Sequence, residues 1–140
     1  INYVWPLSEF ENGIYHLRIY GPNGFYREFA GDGTTDAPDI LFQYEKNASG
    51  KLTGDILLRI LNNSQKELTI DIVHHAYGSA TQSKPVKAGS QISIPIRLDH
   101  SSNWYDFSVR LKGIDNFEKR YAGRVETGKA GISDPAMGNV

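Results

Sequence analysis

Tyr105-Asp106-Phe107-Ser108-Val109-Arg110-Leu111 alternates apolar and polar residues without a break. A chain with that period puts Tyr105, Phe107, Val109 and Leu111 on one face of a strand and Asp106, Ser108 and Arg110 on the other. The same period recurs on either side. Ile92, Ile94, Ile96 and Leu98 alternate with Ser93, Pro95, Arg97 and Asp99. Leu68, Ile70 and Ile72 alternate with Thr69 and Asp71, and Tyr15, Leu17 and Ile19 with His16 and Arg18. One buried and one solvated face is the mark of an antiparallel sheet. Asp55–Leu61 is apolar at nearly every position and reads as a central strand, a short helix being the alternative. Pro95 cannot donate to a ladder, so its strand is expected at an edge or bulged there. No segment carries a sustained helical stripe.

Turn signals fall between these runs. Gly21-Pro22-Asn23-Gly24 predicts a hairpin. Asn47-Ala48-Ser49-Gly50 and Asn62-Asn63-Ser64 are softer signals, and both fit the glycosylation sequon by letter. Pro85, Ala88-Gly89-Ser90 and Lys112-Gly113-Ile114-Asp115-Asn116 punctuate the remaining gaps. About seven or eight short strands with regular turns predict an all-β antiparallel sandwich of immunoglobulin-like topology. The expected organisation is one sandwich over residues 1–126, followed by an extended or flexible tail or linker over residues 127–140, which is Gly-rich, polar and without alternation.

The chain has 140 residues, enough for one domain with its own core. Lys+Arg is 15 and Asp+Glu 16, a net charge of −1. That balance argues against nucleic-acid binding through bulk positive charge and gives no reason for strong attraction to anionic lipid. The sequence has no signal-peptide pattern and no apolar run of membrane-spanning length. Cysteine is absent, which excludes disulfides, thiol catalysis and Cys-based zinc sites. The first residue is Ile1 rather than Met, so a processed product or an excised piece of a longer protein is expected.

Few residues suggest chemistry. His74 and His75 are adjacent, and neighbours on a strand point to opposite faces, so they do not readily chelate one ion. His74 has the inward parity of Leu68, Ile70 and Ile72; His75 points outward. They read as a hydrogen-bonded strand-end histidine and a surface one. His16 and His100 are isolated, and no zinc-ligand spacing joins the four. Asp32, Asp36 and Asp39 superficially resemble a calcium loop but lack EF-hand spacing and a closing Glu; Asx turns are the expected use. Glu9, Glu11 and Glu28 have no fixed separation that would make a glycosidase pair. No nucleophile elbow and no phosphate-cradling glycine loop is present. The expectation is no catalytic residue, no metal and no cofactor.

The aromatics say more. Tyr15, Phe25 and Phe107 have core parity or context. Tyr20, Tyr26 and Trp104, with Tyr105 beside them, lie near turns and could form a platform for sugar, choline or a protein partner. Arg27, Glu28, Asp32, Arg120, Arg124 and Glu126 form a second set, of opposite charges. If the first hairpin packs beside the last strand, they are expected to pair across it, fixing the sandwich edge or docking the domain on a neighbour.

Three blocks of sequence are more specific than strand patterning: Tyr15-His16-Leu17-Arg18-Ile19-Tyr20-Gly21-Pro22-Asn23-Gly24-Phe25-Tyr26-Arg27-Glu28-Phe29-Ala30-Gly31-Asp32, then Trp104-Tyr105-Asp106-Phe107-Ser108-Val109, and lastly Arg120-Tyr121-Ala122-Gly123-Arg124-Val125-Glu126-Thr127-Gly128 with Ser133-Asp134-Pro135-Ala136-Met137-Gly138. In this order they strongly resemble the C-terminal domain of bacterial phosphocholine-specific phospholipases C, of non-haemolytic and haemolytic type. The resemblance implies an accessory domain. In that family the catalytic part is upstream, is similar to phosphatases, and holds the metal ligands and nucleophile, so no catalytic residue transfers to this chain. It also implies a bacterial secreted or periplasmic location. The implied partners are the upstream catalytic domain of the same chain, a second copy of this domain, and a phosphatidylcholine or sphingomyelin surface. The role so implied is to aid membrane engagement, or to dock on and stabilise the catalytic domain. A carbohydrate- or surface-binding module is the alternative.

Overall fold

A computed structural model describes residues 2, 4–33 and 36–137. Among these, nine strands form: β1 (Ile14–Tyr20), β2 (Tyr26–Asp32), β3 (Asp39–Lys46), β4 (Leu52–Leu61), β5 (Leu68–His74), β6 (Gln82–Val86), β7 (Gln91–Ile96), β8 (Trp104–Leu111) and β9 (Ile114–Arg124). Short 3-10 turns at Leu7–Glu9, Glu11–Gly13 and Asp99–Ser101 are the helical elements.

The strands make two antiparallel sheets, one ordered β1-β2-β9-β8-β5-β6 and one ordered β3-β4-β7. Strands β3 to β9 reproduce the immunoglobulin-like order A-B-E on one sheet and G-F-C-C′ on the other. The hairpin β1-β2 is an addition that extends the larger sheet beyond β9. Clean alternation is missing from β3 and from β6, among others, and β6 carries Pro85 inside it rather than in a gap. β6 pairs only with β5, and β7, which holds Pro95, pairs only with β4. Both prolines therefore sit on edges, where a missing donor costs least. β4 is flanked on both sides, as its apolar run predicts.

The core lies between the sheets. Ile56, Leu58 and Ile60 of β4 and Ile94 and Ile96 of β7 face Ile70, Ile72, Tyr105, Phe107, Val109 and Tyr121 of the larger sheet. Phe42 of β3 stacks on Tyr121 with ring centroids 5.0 Å apart and lies 5.5 Å from Tyr105. Two charged side chains on the hairpin and β9, Arg27 and Lys119, share this inward parity, since Arg27 faces Tyr121 and Phe29 faces Lys119 across the β2-β9 ladder.

The β1-β2 connection follows from its letters. Asn23 and Gly24 both have positive φ, 55° and 72°, and the Phe25 amide donates to the Pro22 carbonyl at 3.1 Å. This is a type I′ turn, whose twist matches that of the flanking strands. Its tip rests on Trp104: a Cβ at Gly24 would lie 3.1 Å from that indole.

The sequon at Asn62 has a structural use. Its side chain is fully buried, donates to the Lys66 and Val86 carbonyls at 2.8 and 2.9 Å, and accepts from the Ser64 amide and hydroxyl. Asn47 is exposed and caps its own turn through Ser49 and Lys51.

Candidate functional site

Register brings the motif blocks to one end of the larger sheet. Tyr20 pairs with Tyr26, Tyr26 with Ala122, and Ala122 with Asp106, in a row across four strands. These residues have one parity, on the face away from the core. Trp104 begins β8 at the same end, opposite Arg124. Together they border an open cleft of about 440 Å³, lined also by Phe25, Tyr77, Arg120 and Asp134.

The four expected binding aromatics all touch this cleft but differ in character. Tyr20 is 74% exposed and lies 5.1 Å from the half-buried Tyr26 ring. Trp104 is half-buried, and its Nε1 donates to the Ile132 carbonyl at 3.1 Å. Tyr105 is only 2% exposed; it forms floor rather than wall, because its strand parity turns it into the core. Phe25, expected in the core, instead stands at the rim, 37% exposed, with the Arg27 guanidinium 4.2 Å from its ring centroid. Phe25 closes the hairpin turn, one residue before β2 begins.

Two carboxylates frame the cleft. Asp106 is held by Arg120 through a two-pronged contact, Nε at 2.9 Å and Nη2 at 2.8 Å, and the same guanidinium lies 5.6 Å from the Tyr26 ring centroid. Asp134 accepts from the Tyr77 hydroxyl and the Ala136 amide, each at 2.8 Å. Burial, with Asp134 as its acceptor, raises the Tyr77 phenol above its ordinary range. Among the described residues no cation pairs with Asp134. Tyr77 has φ of 66°, an uncommon conformation for a bulky residue; the Ala76-Tyr77-Gly78 turn was its only sequence signal. Asp134 lies in the Ser133-Asp134-Pro135 motif, but nothing in one dimension joins it to Tyr77.

The segment from Thr127 to Met137 forms no strand or helix and lies against the body. Besides the Trp104 and Tyr77 contacts, Gly131 sits directly on the Arg124 guanidinium, leaving no room for a Cβ. Gly138 to Val140, at the end of the expected tail, lie outside the described residues.

The charged set is dispersed. The hairpin does pack beside β9, and Glu28 faces Arg120 in register. Yet Glu28 takes hydrogen bonds from Arg18 at 2.9 Å and Tyr26 at 2.7 Å, and is bonded to His16. Burial alone would raise the Glu28 carboxyl; the bonds from Tyr26, His16 and Arg18 outweigh it and bring it down to about 2. Arg120 goes to Asp106, Arg124 to its near neighbour Glu126 at 3.2 Å, and Asp32 is bonded to Asn116. Arg27 is buried and donates to the Tyr26 and Ala122 carbonyls and the Tyr105 hydroxyl. Only outward-facing residues can form a surface network, and Arg27 has the opposite parity.

The histidines exchange roles. Outward His75 is the hydrogen-bonded one, 2.7 Å from the buried Ser108 hydroxyl, which donates to Glu118 at 2.5 Å. Inward His74 packs 6.0 Å from the Phe107 ring, and no described protein group meets its buried Nε2. The serine sits between the imidazole and the carboxylate, the reverse of a nucleophile relay, in which the histidine is in the middle. Among the described residues no three His, Asp or Glu side chains converge as metal ligands.

The chain is an all-β antiparallel sandwich of immunoglobulin-like order, enlarged by a hairpin that borders an aromatic cleft. Comparison with known proteins then fixes the family. The profile described as "Bacterial phospholipase C, C-terminal domain" matches residues 1–32 and 38–124, and the chain belongs to that family. It is 33% identical over 135 residues to the non-hemolytic phospholipase C of Pseudomonas aeruginosa, covering 91% of this chain and 19% of that protein. It is 34% identical over 130 residues to the non-hemolytic phospholipase C of Burkholderia pseudomallei, covering 89% and 18%. With the hemolytic phospholipase C of P. aeruginosa the figures are 34% over 136 residues, 90% and 17%. The chain thus spans less than a fifth of the length of these relatives.

Proposed function

We propose that this chain is a non-catalytic accessory domain of a bacterial phospholipase C, secreted or periplasmic, which helps its enzyme engage phosphatidylcholine- or sphingomyelin-bearing membrane. The observation that carries this reading is the convergence of Tyr20 and Tyr26 of the first hairpin with Trp104 of β8 on one open cleft. Tyrosine and tryptophan pair an apolar ring with a polar tip, which suits them to the lipid–water boundary. Aromatic faces beside a carboxylate such as Asp134 also attract the ammonium of a choline head.

Co-sedimentation with phosphatidylcholine and sphingomyelin vesicles tests it. The domain is expected in the pellet at low and at physiological salt, and Trp104→Ala in the supernatant. Absence from the pellet under all conditions, or capture by a glycan surface in its place, defeats the reading.

A second reading, docking on the catalytic part of the same polypeptide, is favoured by the exposed apolar side chains of Val4, Trp5 and Leu7. It predicts that Val4→Asp with Leu7→Asp in the whole enzyme lowers its melting temperature while leaving the melting of the isolated domain unchanged.

A further inference from the structure

Beside the aromatic cleft lies a second cavity of about 510 Å³, separated from it by Gly24, Trp104 and Asp134, which line both. Its far side is made by the C-terminal segment, where Ile132 is 58% and Met137 76% exposed. The two cavities therefore share one continuous rim. Tyr20 and Phe25 project from its hairpin side, Ile132 and Met137 from its C-terminal side. Single exposed apolar residues are ordinary, but four around one recess make a patch of the kind that marks an interaction surface.

The segment that presents Ile132 and Met137 is held in place. Ile132 lends its carbonyl to Trp104, Asp134 takes the Tyr77 hydroxyl, and the Met137 amide donates to the Asp134 carbonyl at 3.0 Å. These bonds prearrange the apolar side chains, so less conformational entropy is lost on insertion.

Charge selects the occupant. Within the two linings Arg120 is neutralised by Asp106 and Arg124 by Glu126, which leaves the Asp134 carboxylate in excess. Lys129, exposed on the same segment, lines neither cavity. A rim with one surplus negative charge is repelled by anionic lipid and complements the outward ammonium layer of a zwitterionic one.

Resting on the lipid-engaging reading above, we infer that Ile132 and Met137 are membrane-inserting residues: they enter the interfacial layer of a zwitterionic phospholipid bilayer beside Trp104, with the C-terminal segment as half of the contact. The attraction is then mainly apolar and only weakly dependent on salt.

The chain has no cysteine, so Met137→Cys takes a single environment-sensitive fluorophore. On phosphatidylcholine vesicles the label is expected to shift to the blue and to resist quenching by aqueous iodide. Ile132→Asp with Met137→Asp is expected to weaken partitioning at least tenfold. Phosphatidylglycerol vesicles are expected to bind less than phosphatidylcholine ones. If Trp104→Ala abolishes binding while the double variant binds normally and the label stays unshifted, this inference fails and the lipid-engaging reading stands. Tighter, salt-sensitive binding to phosphatidylglycerol also overturns it. If the unaltered domain binds no vesicle, both fall.

Discussion

Arg27 and Tyr105 meet inside the sandwich, the guanidinium Nη2 donating to the phenol oxygen at 3.0 Å. The contact joins the added hairpin to the strand that floors the cleft. Around it the guanidinium carbon lies 4.7 Å from the Phe42 ring centroid and 5.2 Å from that of Tyr121. The positive charge is thus met by carbonyls, a phenol and ring faces. Burial of the Tyr105 ring raises its phenol above the ordinary range, with Arg27 pulling the other way. The phenol stays neutral and can accept the bond.

Arg27→Ala removes the donor to two carbonyls and this hydroxyl. Each buried group left unsatisfied costs about 1–3 kcal/mol, so a loss of about 2–4 kcal/mol is expected in denaturant melts. Arg27→Met keeps much of the volume and is expected to lose less. Equal stability of Arg27→Ala and the unaltered chain would show that the bonds carry no weight.

Gly31 is required by a neighbour rather than by its φ. A Cβ there would lie 2.6 Å from the Tyr15 hydroxyl oxygen and 2.9 Å from its ring. Gly31→Ala is expected to destabilise by about 1–3 kcal/mol, the cost of overpacking. Adding Tyr15→Phe removes the nearest atom and should restore part of the loss. Additive losses in the double variant would contradict this account.

Asn62→Ala removes the side-chain partner of the Val86 carbonyl and of the Ser64 amide, while the Lys66 carbonyl keeps the Ser64 hydroxyl at 3.0 Å. Because the site is fully buried, a loss of about 2–4 kcal/mol is expected by the same reasoning. Expression in a glycosylating host should leave Asn62 unmodified, as read by intact mass and peptide mapping.

Stability should fall on mild acidification. Burial lowers the pKa of His74, helped by His100 and His75, and burial with Arg120 lowers that of His75. The unfolded chain therefore takes up protons first. Stability is full above the ordinary histidine value of about 6.5 and declines as pH falls through it. A second decline belongs to Glu28, whose folded value of about 2 makes its contribution complete above about 4.5 and lost as pH falls toward 2. Denaturant midpoints between pH 8 and pH 3 should show both, with His74→Gln flattening the upper window and Glu28→Gln the lower. A midpoint independent of pH contradicts both assignments.

How much of this was legible depends on how much of each signal is local. Strict alternation exposed β5, β7 and β8, and Asn23-Gly24 fixed the first hairpin through its backbone demands. β3 was obscured because Leu41 interrupts its polar positions. β6 was obscured because Val86 is its one buried residue and Pro85 resembles a gap. Tyr20, Tyr26 and Trp104 stood out as aromatics near turns. Their union with Tyr77 and Asp134 needed the fold, since Tyr77 and Asp134 are 57 residues apart and their bond rests on a turn conformation without a sequence period.

Trp104 offers the most direct test of the central claim. The chain has two tryptophans, so Trp5→Phe leaves Trp104 as the only indole emitter. On adding phosphatidylcholine vesicles its emission should shift to the blue, be quenched by lipids brominated near the top of the acyl chain, and change little between low and physiological salt. An unshifted, unquenched Trp104 in a domain that remains in solution would contradict the claim that this cleft meets the membrane.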